Sequence, residues 1–419
     1  MLTLNYCYRI YPDAVQEQIL IEWMDICRSA YNYALREIKD WCNSKKCLID
    51  RCAIDKEYII PANTKFPSEV WQLNNLPKAK KEFPKLKKVP SQVLQQAIKQ
   101  LHRGWQYFQS RGFGFPRFKK YGKFKSLLFP QFKNNPVRGY HIRLPKIGAI
   151  VINLHRPIPN GFVVKQVRVI RKADRWYVSI NIQCDVKIPA PIPYGHPIGV
   201  DVGLEKFLAT SEGVLVKQPL FLKSLQSQLK LLQRRLSRKQ KRSNNYEKAR
   251  IKVARIHHQI ANTRKDFHFK QAHDLCDSAD LVFMEDLDYG GLSRGFLGKH
   301  MLDAGFGQFR TIVKYVCWKR GKFFAEVDAR GTSRECPECG GEVKKDLSVR
   351  VHDCLDCGYR TDRDVASAQI VRNRGIDLIS TVGQTGMETA CADVLPGAEV
   401  TRSRQVSKPR KGKTRKLKK

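Results

Sequence analysis

Four cysteines stand in two pairs, Cys336-Pro337-Glu338-Cys339 and Cys354-Leu355-Asp356-Cys357, with fourteen residues between the pairs. Two such knuckles present four thiolates to one tetrahedral Zn²⁺ at about 2.3 Å, and the residues between them form the hairpin that closes the site. Four sulfurs complete the coordination, so this zinc is expected to be structural, with no open position for a catalytic water. Gly340-Gly341 and Gly358 follow the knuckles, where backbone N–H groups commonly turn toward sulfur. A redox pair or chance spacing is the plainer reading of paired cysteines, and this spacing argues against it.

Three acids could do a second kind of chemistry. Asp201 lies inside the apolar run Pro197-Ile198-Gly199-Val200-Asp201-Val202-Gly203, and Glu285 ends Leu281-Val282-Phe283-Met284-Glu285. A carboxylate within a buried strand is costly unless it is paired or binds a metal. Asp364 opens Val365-Ala366-Ser367-Ala368-Gln369-Ile370, a helix start, where an acid is commonly a plain N-cap. Glu285 alone could be an ordinary acid at a strand end. If the three converge, they can hold two Mg²⁺ (or Mn²⁺) ions that activate water and stabilise the leaving oxygen of a phosphodiester. The pattern by itself leaves both possibilities open.

The elements that must position these groups are legible in part. The opening MLTLNYCYRI alternates like a strand. Asp13 after Pro12 suits a helix N-cap, and Leu20, Trp23, Cys27, Tyr31, Ala34, Ile38 and Trp41 then recur at helical spacing. A polar, Pro-dotted stretch runs from about Asn43 to Pro90; Ser91 then starts a helix carrying Leu94, Ile98, Leu101, Trp105 and Phe108. The segment FGFPRFKKYGKFKSLLFPQFK, starting at Phe113, interleaves rings with bases. It suits stacking and phosphate contact with nucleic acid, which is compatible with the plainer reading of a β-hairpin with rings inward and bases in water. HIRLP, AIVINLH, VKQVRVIRK and RWYVSINIQC follow, separated by turns at Lys146-Ile147-Gly148, Pro159-Asn160-Gly161 and Ala173-Asp174, and indicate an antiparallel β unit or small barrel. IPAPIPYGHP, from Ile188 to Pro197, is a linker by composition.

After the Asp201 strand, Phe207–Thr210 and Val214–Val216 continue a β-meander. Between about Pro219 and Phe267, Leu222, Leu225, Leu229, Leu232 and Leu236, then Tyr246, Ala249, Val253, Ile256, Ile260, Thr263 and Phe267, step by three and four around a Ser243-Asn244-Asn245 turn. This is an antiparallel helical hairpin. Its other faces carry Arg234, Arg235, Arg238, Lys239, Lys241, Arg242, Lys248, Arg250, Lys252 and Arg255 against one acid, Glu247, which favours a phosphate track over a merely solvated face. From about Asp377 the periodicity ends, and residues 401–419 hold ten Lys/Arg and no acid, as in a disordered basic tail.

Bulk composition points the same way. A formal net charge of +38 on 419 residues strains a compact state unless a polyanion neutralises it. No apolar run approaches about 18 residues and no signal peptide is evident, so nucleic acid is favoured over a membrane. The 13 cysteines, an odd number with nine scattered outside the quartet, fit a reducing cytoplasmic setting better than a disulfide framework.

IGVDVG, VFMEDLDYGG and TSRECPECGG…CLDCGYRTDRDVASAQ together resemble the three-part RuvC nuclease domain and zinc ribbon of the TnpB family, transposon-associated proteins similar to type V CRISPR effectors. The resemblance covers about residues 196–375 and extends loosely over FPRFKKYGKFKS and RLPKIGAIVINLHRPIP. It implies that Asp201, Glu285 and Asp364 are catalytic acids that bind Mg²⁺ and that Cys336, Cys339, Cys354 and Cys357 bind Zn²⁺. It also implies an RNA-guided DNA endonuclease of a mobile element, with guide RNA and target DNA as partners. Two departures stand out. Ala366-Ser367-Ala368 replaces the family's frequent Asn-Ala-Ala, and Asp362 offers a second candidate acid beside Asp364. A transposase and a non-cutting, guide-bound DNA-binding regulator are the competing functions.

The expected architecture is multidomain α+β. A β wedge domain over 1–12 and 113–190 holds a helical recognition lobe over 13–112. A linker at 191–196 leads to a RuvC/ribonuclease H-like α/β nuclease domain over 197–333 and 361–376, with the basic hairpin at 219–267 and the zinc ribbon at 334–360 as insertions. The tail occupies 377–419.

Overall fold

A reciprocal cap turns the chain from its first strand into its first helix: Asp13 Oδ1 accepts the Gln16 N–H at 2.8 Å, and Gln16 Oε1 accepts the Asp13 N–H at 3.2 Å. The structure, a computed structural model, describes residues 2–46 and 64–384 apart from 133, 187–190, 192, 242, 345, 347 and 348. Cys47, Cys52, Arg242, part of the 188–197 linker and the basic tail beyond residue 384 therefore lie outside the described residues. The chain forms two compact units, Met1–Ile188 and Pro189–Lys419.

The first unit contains β1 (Leu2–Tyr11), α1 (Ala14–Lys46), α2 (Glu69–Glu82), α3 (Ser91–Arg111), β2 (Ser126–Phe129), β3 (Val137–Arg138), β4 (His141–Leu144), β5 (Gly148–Ile152), β6 (Val163–Lys172) and β7 (Arg175–Cys184). The strands form one antiparallel sheet in the order β2-β6-β7-β1-β5-β4-β3. Its register matches buried side chains: Leu4, Tyr6, Tyr8 and Ile10 of β1 oppose Ile182, Ile180, Val178 and Trp176 of β7. A slip of one residue would carry that whole row to solvent.

Helix α2 falls inside the polar, Pro-dotted stretch. Pro77 within it is a helix breaker by propensity, and the turns beyond it are lysine-rich. Tertiary contacts override this. Ser68 caps the Trp71 N–H, and Gln72, buried, donates to Ala34 O at 3.0 Å and Glu37 Oε2 at 2.7 Å while its Oε1 meets His102 Nε2 at 2.8 Å, linking α1, α2 and α3. The ring-and-base segment is not a local hairpin. Phe124, Leu127 and Phe129 are buried and β2 pairs with distant β6, whereas Phe113, Phe118 and Tyr121 stay exposed. Lys39 sits 4.5 Å over the Phe118 ring.

The second unit contains β8 (Pro197–Asp201), β9 (Lys206–Thr210), β10 (Leu215–Lys217), α4 (Phe221–Ser237), α5 (Asn244–Ser278), β11 (Leu281–Glu285), α6 (Tyr289–Leu292), α7 (Gly298–Ala304), α8 (Phe306–Arg320), β12 (Phe323–Val327), β13 (Val351–Asp353), β14 (Arg360–Asp362) and α9 (Arg363–Gln384). The sheet order is β10-β9-β8-β11-β12, antiparallel over β10-β9-β8 and parallel over β8-β11-β12, which is the ribonuclease H-like arrangement. Helices α4 and α5 close the expected seam around Phe221, Leu229, Ile256 and Ile260. Helix α5 continues unbroken past Phe267, because Ala272, Leu275 and Cys276 pack into the core beneath the sheet. Helix α9 likewise continues past Asp377, to Gln384. Among the described residues, no helix is long and apolar enough to cross a membrane.

Strand alternation divides the second unit's core in two. Ile198, Val200, Val282 and Met284 face the cluster that includes Ala272, Leu275, Phe309 and Val313 of α5 and α8, while Leu281 and Phe283 face Val371 and Ile379 of α9. Gly199 and Gly375 make the second contact possible. A Cβ on Gly199 would lie 1.9 Å from the Ala368 carbonyl oxygen, and one on Gly375 would lie 2.2 Å from the Phe283 ring. We predict that Gly199→Ala lifts α9 from β8, costs about 1–3 kcal/mol or more, and lowers the thermal midpoint of unfolding.

His268 sits in this core fully buried among Phe207, Phe221, Phe267 and Phe309. Its Nε2–H donates to Ala304 O at 3.0 Å, and Nδ1 has no hydrogen-bond partner among the described residues. Burial pushes its pKa down to about 4, opposed by the Ala304 bond and assisted by Arg264. Below about pH 6.5 the unfolded chain therefore takes up a proton that the folded chain refuses. This contribution is intact above that pH and is lost as pH falls, by about 2 kcal/mol at pH 5. Thermal melts at pH 7 and pH 5 should show a smaller loss in His268→Phe than in the parent.

Candidate active site and metal centre

Strand register brings the first two acids together. Phe283 pairs with Gly199 and Met284 with Val200, so Glu285 and Asp201 follow side by side at the carboxyl ends of adjacent parallel strands. Such neighbours point to the same face with strands about 4.8 Å apart. That face is the one α9 covers, since Gly199 and Phe283, two residues earlier, touch Ala368 and Gly375. The helix runs opposite to β8, which brings its N-terminal residue Asp364 to the same strand ends.

Asp362 has a different task. It ends β14, its Oδ1 accepts the Asp364 N–H at 3.0 Å, and it pairs with Lys206 of β9. Asp362 thus caps the helix, and Asp364 does not have to. Lys206 Nζ also lies 3.8 Å from Asp364 Oδ2. The departure at Ala366-Ser367-Ala368 places small, buried residues where α9 meets β8, with Ser367 Oγ donating to Arg363 O at 3.2 Å.

The three carboxyls shift in the same direction. Asp201 is pushed up to about 8 by burial first, then by Glu285 and Asp364. Glu285 is raised by burial, against the Thr332 hydrogen bond and Arg374; Asp364 is raised by burial, against Lys206. Burial thus disfavours the charged form of each acid, and at Asp201 the neighbouring Glu285 and Asp364 add repulsion. A dication would supply the missing opposite charge, and an all-oxygen donor set would suit Mg²⁺ or Mn²⁺. The carboxyl oxygens of the three acids are spread more widely than the cysteine sulfurs, which form the group of potential ligand atoms lying within 4.8 Å of one another among the described residues.

That quartet has the dimensions of a metal site. Cys336 and Cys357 Sγ are 3.6 Å apart, as are Cys339 and Cys354 Sγ; sulfurs at 2.3 Å from a tetrahedral centre stand about 3.8 Å apart. The two knuckles repeat one backbone pattern. Gly340 N–H bonds to Cys336 O and Gly358 N–H to Cys354 O, while Cys336 N–H reaches Gly341 O and Cys354 N–H reaches Tyr359 O. Gly340 and Gly358 take φ values of +72° and +75°, the left-handed turn this pattern requires.

One residue escaped the sequence reading. Thr332, four positions before Cys336, donates its hydroxyl to Glu285 Oε1 at 2.6 Å, with both residues buried. It stands inside the TSRECPEC motif, where the cysteines took the attention. The signal that could have found it is a hydroxyl residue after a glycine just ahead of the first knuckle.

The sheet order, the acids at its parallel strand ends and the inserted cysteine knuckle define a RuvC-like ribonuclease H fold with a metal ribbon. The chain belongs to the TnpB family. Residues 179–295 match the OrfB IS605 model described as "Probable transposase", 306–371 match "Cas12f1-like, TNB domain", and 1–47 match a model described as "Helix-turn-helix domain". Here those first residues hold β1 and one uninterrupted helix, α1. The Escherichia coli (strain K12) protein named "Putative RNA-guided DNA endonuclease InsQ" is 32% identical over 308 residues, spanning 69% of this chain and 76% of that protein. A Streptomyces pristinaespiralis "Putative RNA-guided DNA endonuclease" is 29% identical over 377 residues, 88% of each chain. A solved structure titled "Cryo-EM structure of the Cas12f1-sgRNA-target DNA complex" aligns at 15% identity and a TM-score of 0.33, over 89% of this chain and 99% of that one.

The purified chain is expected to carry a tightly held metal ion released by a thiol-modifying mercurial. Cys339→Ser should retain far less of it, measured by elemental analysis after desalting.

Proposed function

We propose that this protein is an RNA-guided, divalent-metal-dependent DNA endonuclease of a mobile element. The observation that carries the reading is the gathering of Asp201, Glu285 and Asp364 at one strand end, with all three carboxyls raised. These are the residues that would hold Mg²⁺ or Mn²⁺; when bound, the ions supply an activated water and stabilisation of the leaving oxygen. Asp201 and Glu285 fix one side of the site from the rigid sheet. Asp364 completes it from α9, with Lys206 restraining its carboxylate from β9. The four cysteines would hold Zn²⁺ in a structural role, with every coordination position filled.

The partners follow from charge and from the relatives. A net charge of +38 suits a protein that spends its working life on polyanions. Exposed Arg234, Arg235, Arg238, Lys239, Lys241, Lys248, Lys252 and Arg255 line the α4–α5 hairpin, and exposed Phe113, Phe118 and Tyr121 offer stacking faces in the first unit. The first unit's sheet and helices would serve as wedge and recognition lobes for guide RNA and target DNA. Base pairing with the guide would choose the target, while the protein reads a short flanking motif. The relatives named RNA-guided DNA endonucleases favour this reading over a transposase or a non-cutting regulator.

Asp201→Ala should abolish Mg²⁺-dependent cleavage of a guide-matched DNA, a loss of at least about 10³-fold given the role assigned to the metal site. RNA bound during purification should be retained at parent levels. Sequencing that RNA supplies the guide, and full cutting by the variant would refute the assignment.

A further inference from the structure

We propose that Thr332 is a positioning residue whose hydroxyl sets the orientation of Glu285 and ties it to the four-cysteine ribbon. The inference rests on the reading of Glu285 as a metal ligand.

Glu285 is 7% exposed and Thr332 5% exposed, so water competes little for the bond between them. The Thr332 hydroxyl has one proton and two acceptors in reach, Glu285 Oε1 at 2.6 Å and Ala329 O at 3.2 Å, and the shorter bond, charge-assisted when the carboxyl is ionised, goes to Glu285. Among the described residues it is the side-chain donor that reaches this carboxylate. With Oε1 engaged, Oε2 is left to face a cation, and rotation about the carboxylate is suppressed. Hydrogen-bond partners behind a metal ligand are typically worth about 10–100-fold in metal affinity.

Thr332 is itself held from two directions. Gly331, at φ +77°, turns the chain, and its carbonyl accepts the N–H groups of Arg334 and Glu335 at 2.9 and 3.1 Å, leading directly into Cys336. From α9, Arg374 Nη1 donates to Asp328 O at 2.7 Å and Arg330 O at 2.8 Å, and its Nη2 reaches Glu335 Oε2 at 2.6 Å. Asn373 Nδ2 donates to Pro337 O at 3.0 Å, inside the first knuckle. One helix therefore carries Asp364 at its start and clamps, with two adjacent residues, the loop that presents Thr332 to Glu285. The ribbon is part of the nuclease site's scaffold rather than an appendage, and this hydroxyl is where the two meet.

The test uses the purified full chain and Mn²⁺ as the probe, with free Mn²⁺ followed by electron paramagnetic resonance. Thr332→Val, nearly isosteric, should weaken Mn²⁺ binding about 10–100-fold while keeping the parent's thermal midpoint and cysteine-bound metal. Thr332→Ser should restore binding to within about threefold, since it returns the hydroxyl that carries the effect. Should Thr332→Val not fold, Thr332→Ala against Thr332→Ser makes the same comparison. Parent-like Mn²⁺ binding in the hydroxyl-less variant overturns the proposal, as does an equal loss in Val and Ser variants. Glu285→Gln separates the two levels. If it binds Mn²⁺ like the parent, the metal-ligand reading itself fails; if it loses Mn²⁺ while Thr332→Val does not, only the role of Thr332 fails.

Discussion

The second unit depends on a direct contact between helix α9 and the backbone of β8. At Gly199 the helix sits so close that no side chain fits beneath the Ala368 carbonyl, and at Gly375 the Phe283 ring occupies the space a Cβ would need. Close packing of this kind has little slack, because interiors are as dense as organic crystals. The position of Asp364 relative to Asp201 and Glu285 is therefore set by contact between backbones rather than by flexible side chains. Side chains carried on strands and a helix are held with a precision that loops do not offer.

This arrangement explains how acids far apart in the chain can sit at one end of the sheet despite the repulsion that Glu285 and Asp364 exert on Asp201. Three carboxyls raised together represent stored electrostatic cost, and such cost persists only where the surrounding packing enforces it. Glu285 is buried in the sheet, Asp201 ends the neighbouring strand, and Asp364 rides on a helix whose cap is supplied by Asp362. Lys206 offsets part of the charge at the outer side of the cluster. The same packing orders the ribbon, since Arg374 and Asn373 of α9 hold its approach loop.

Much of the fold was legible because its signals are local. The α4–α5 seam, the hairpin turn at Ala173-Asp174, the helix start at Asp13 and the paired knuckles each follow from periodicity, turn chemistry or ligand spacing within a short window. The failures share one cause. Helix α2 contains a proline and a run of lysines, yet it forms because Gln72 links it to Ala34, Glu37 and His102 from other helices. Helices α5 and α9 outlast their visible pattern because their later residues bury against partners that no local window contains. The ring-and-base segment divides between core and surface for the same reason, with β2 recruited by the distant β6.

The sequence by itself determined which residue types were available: four thiolates at knuckle spacing, three acids ending apolar or capping segments, and a surplus of positive charge. Those are properties of composition and short-range order, and they carry the chemistry. Tertiary structure alone decided that Asp362 caps while Asp364 faces the strand ends, that Gly199 must lack a side chain, and that Thr332 reaches Glu285. Each of these is a relation between residues separated by long stretches of chain, fixed by sheet register and close packing, to which no local pattern is sensitive.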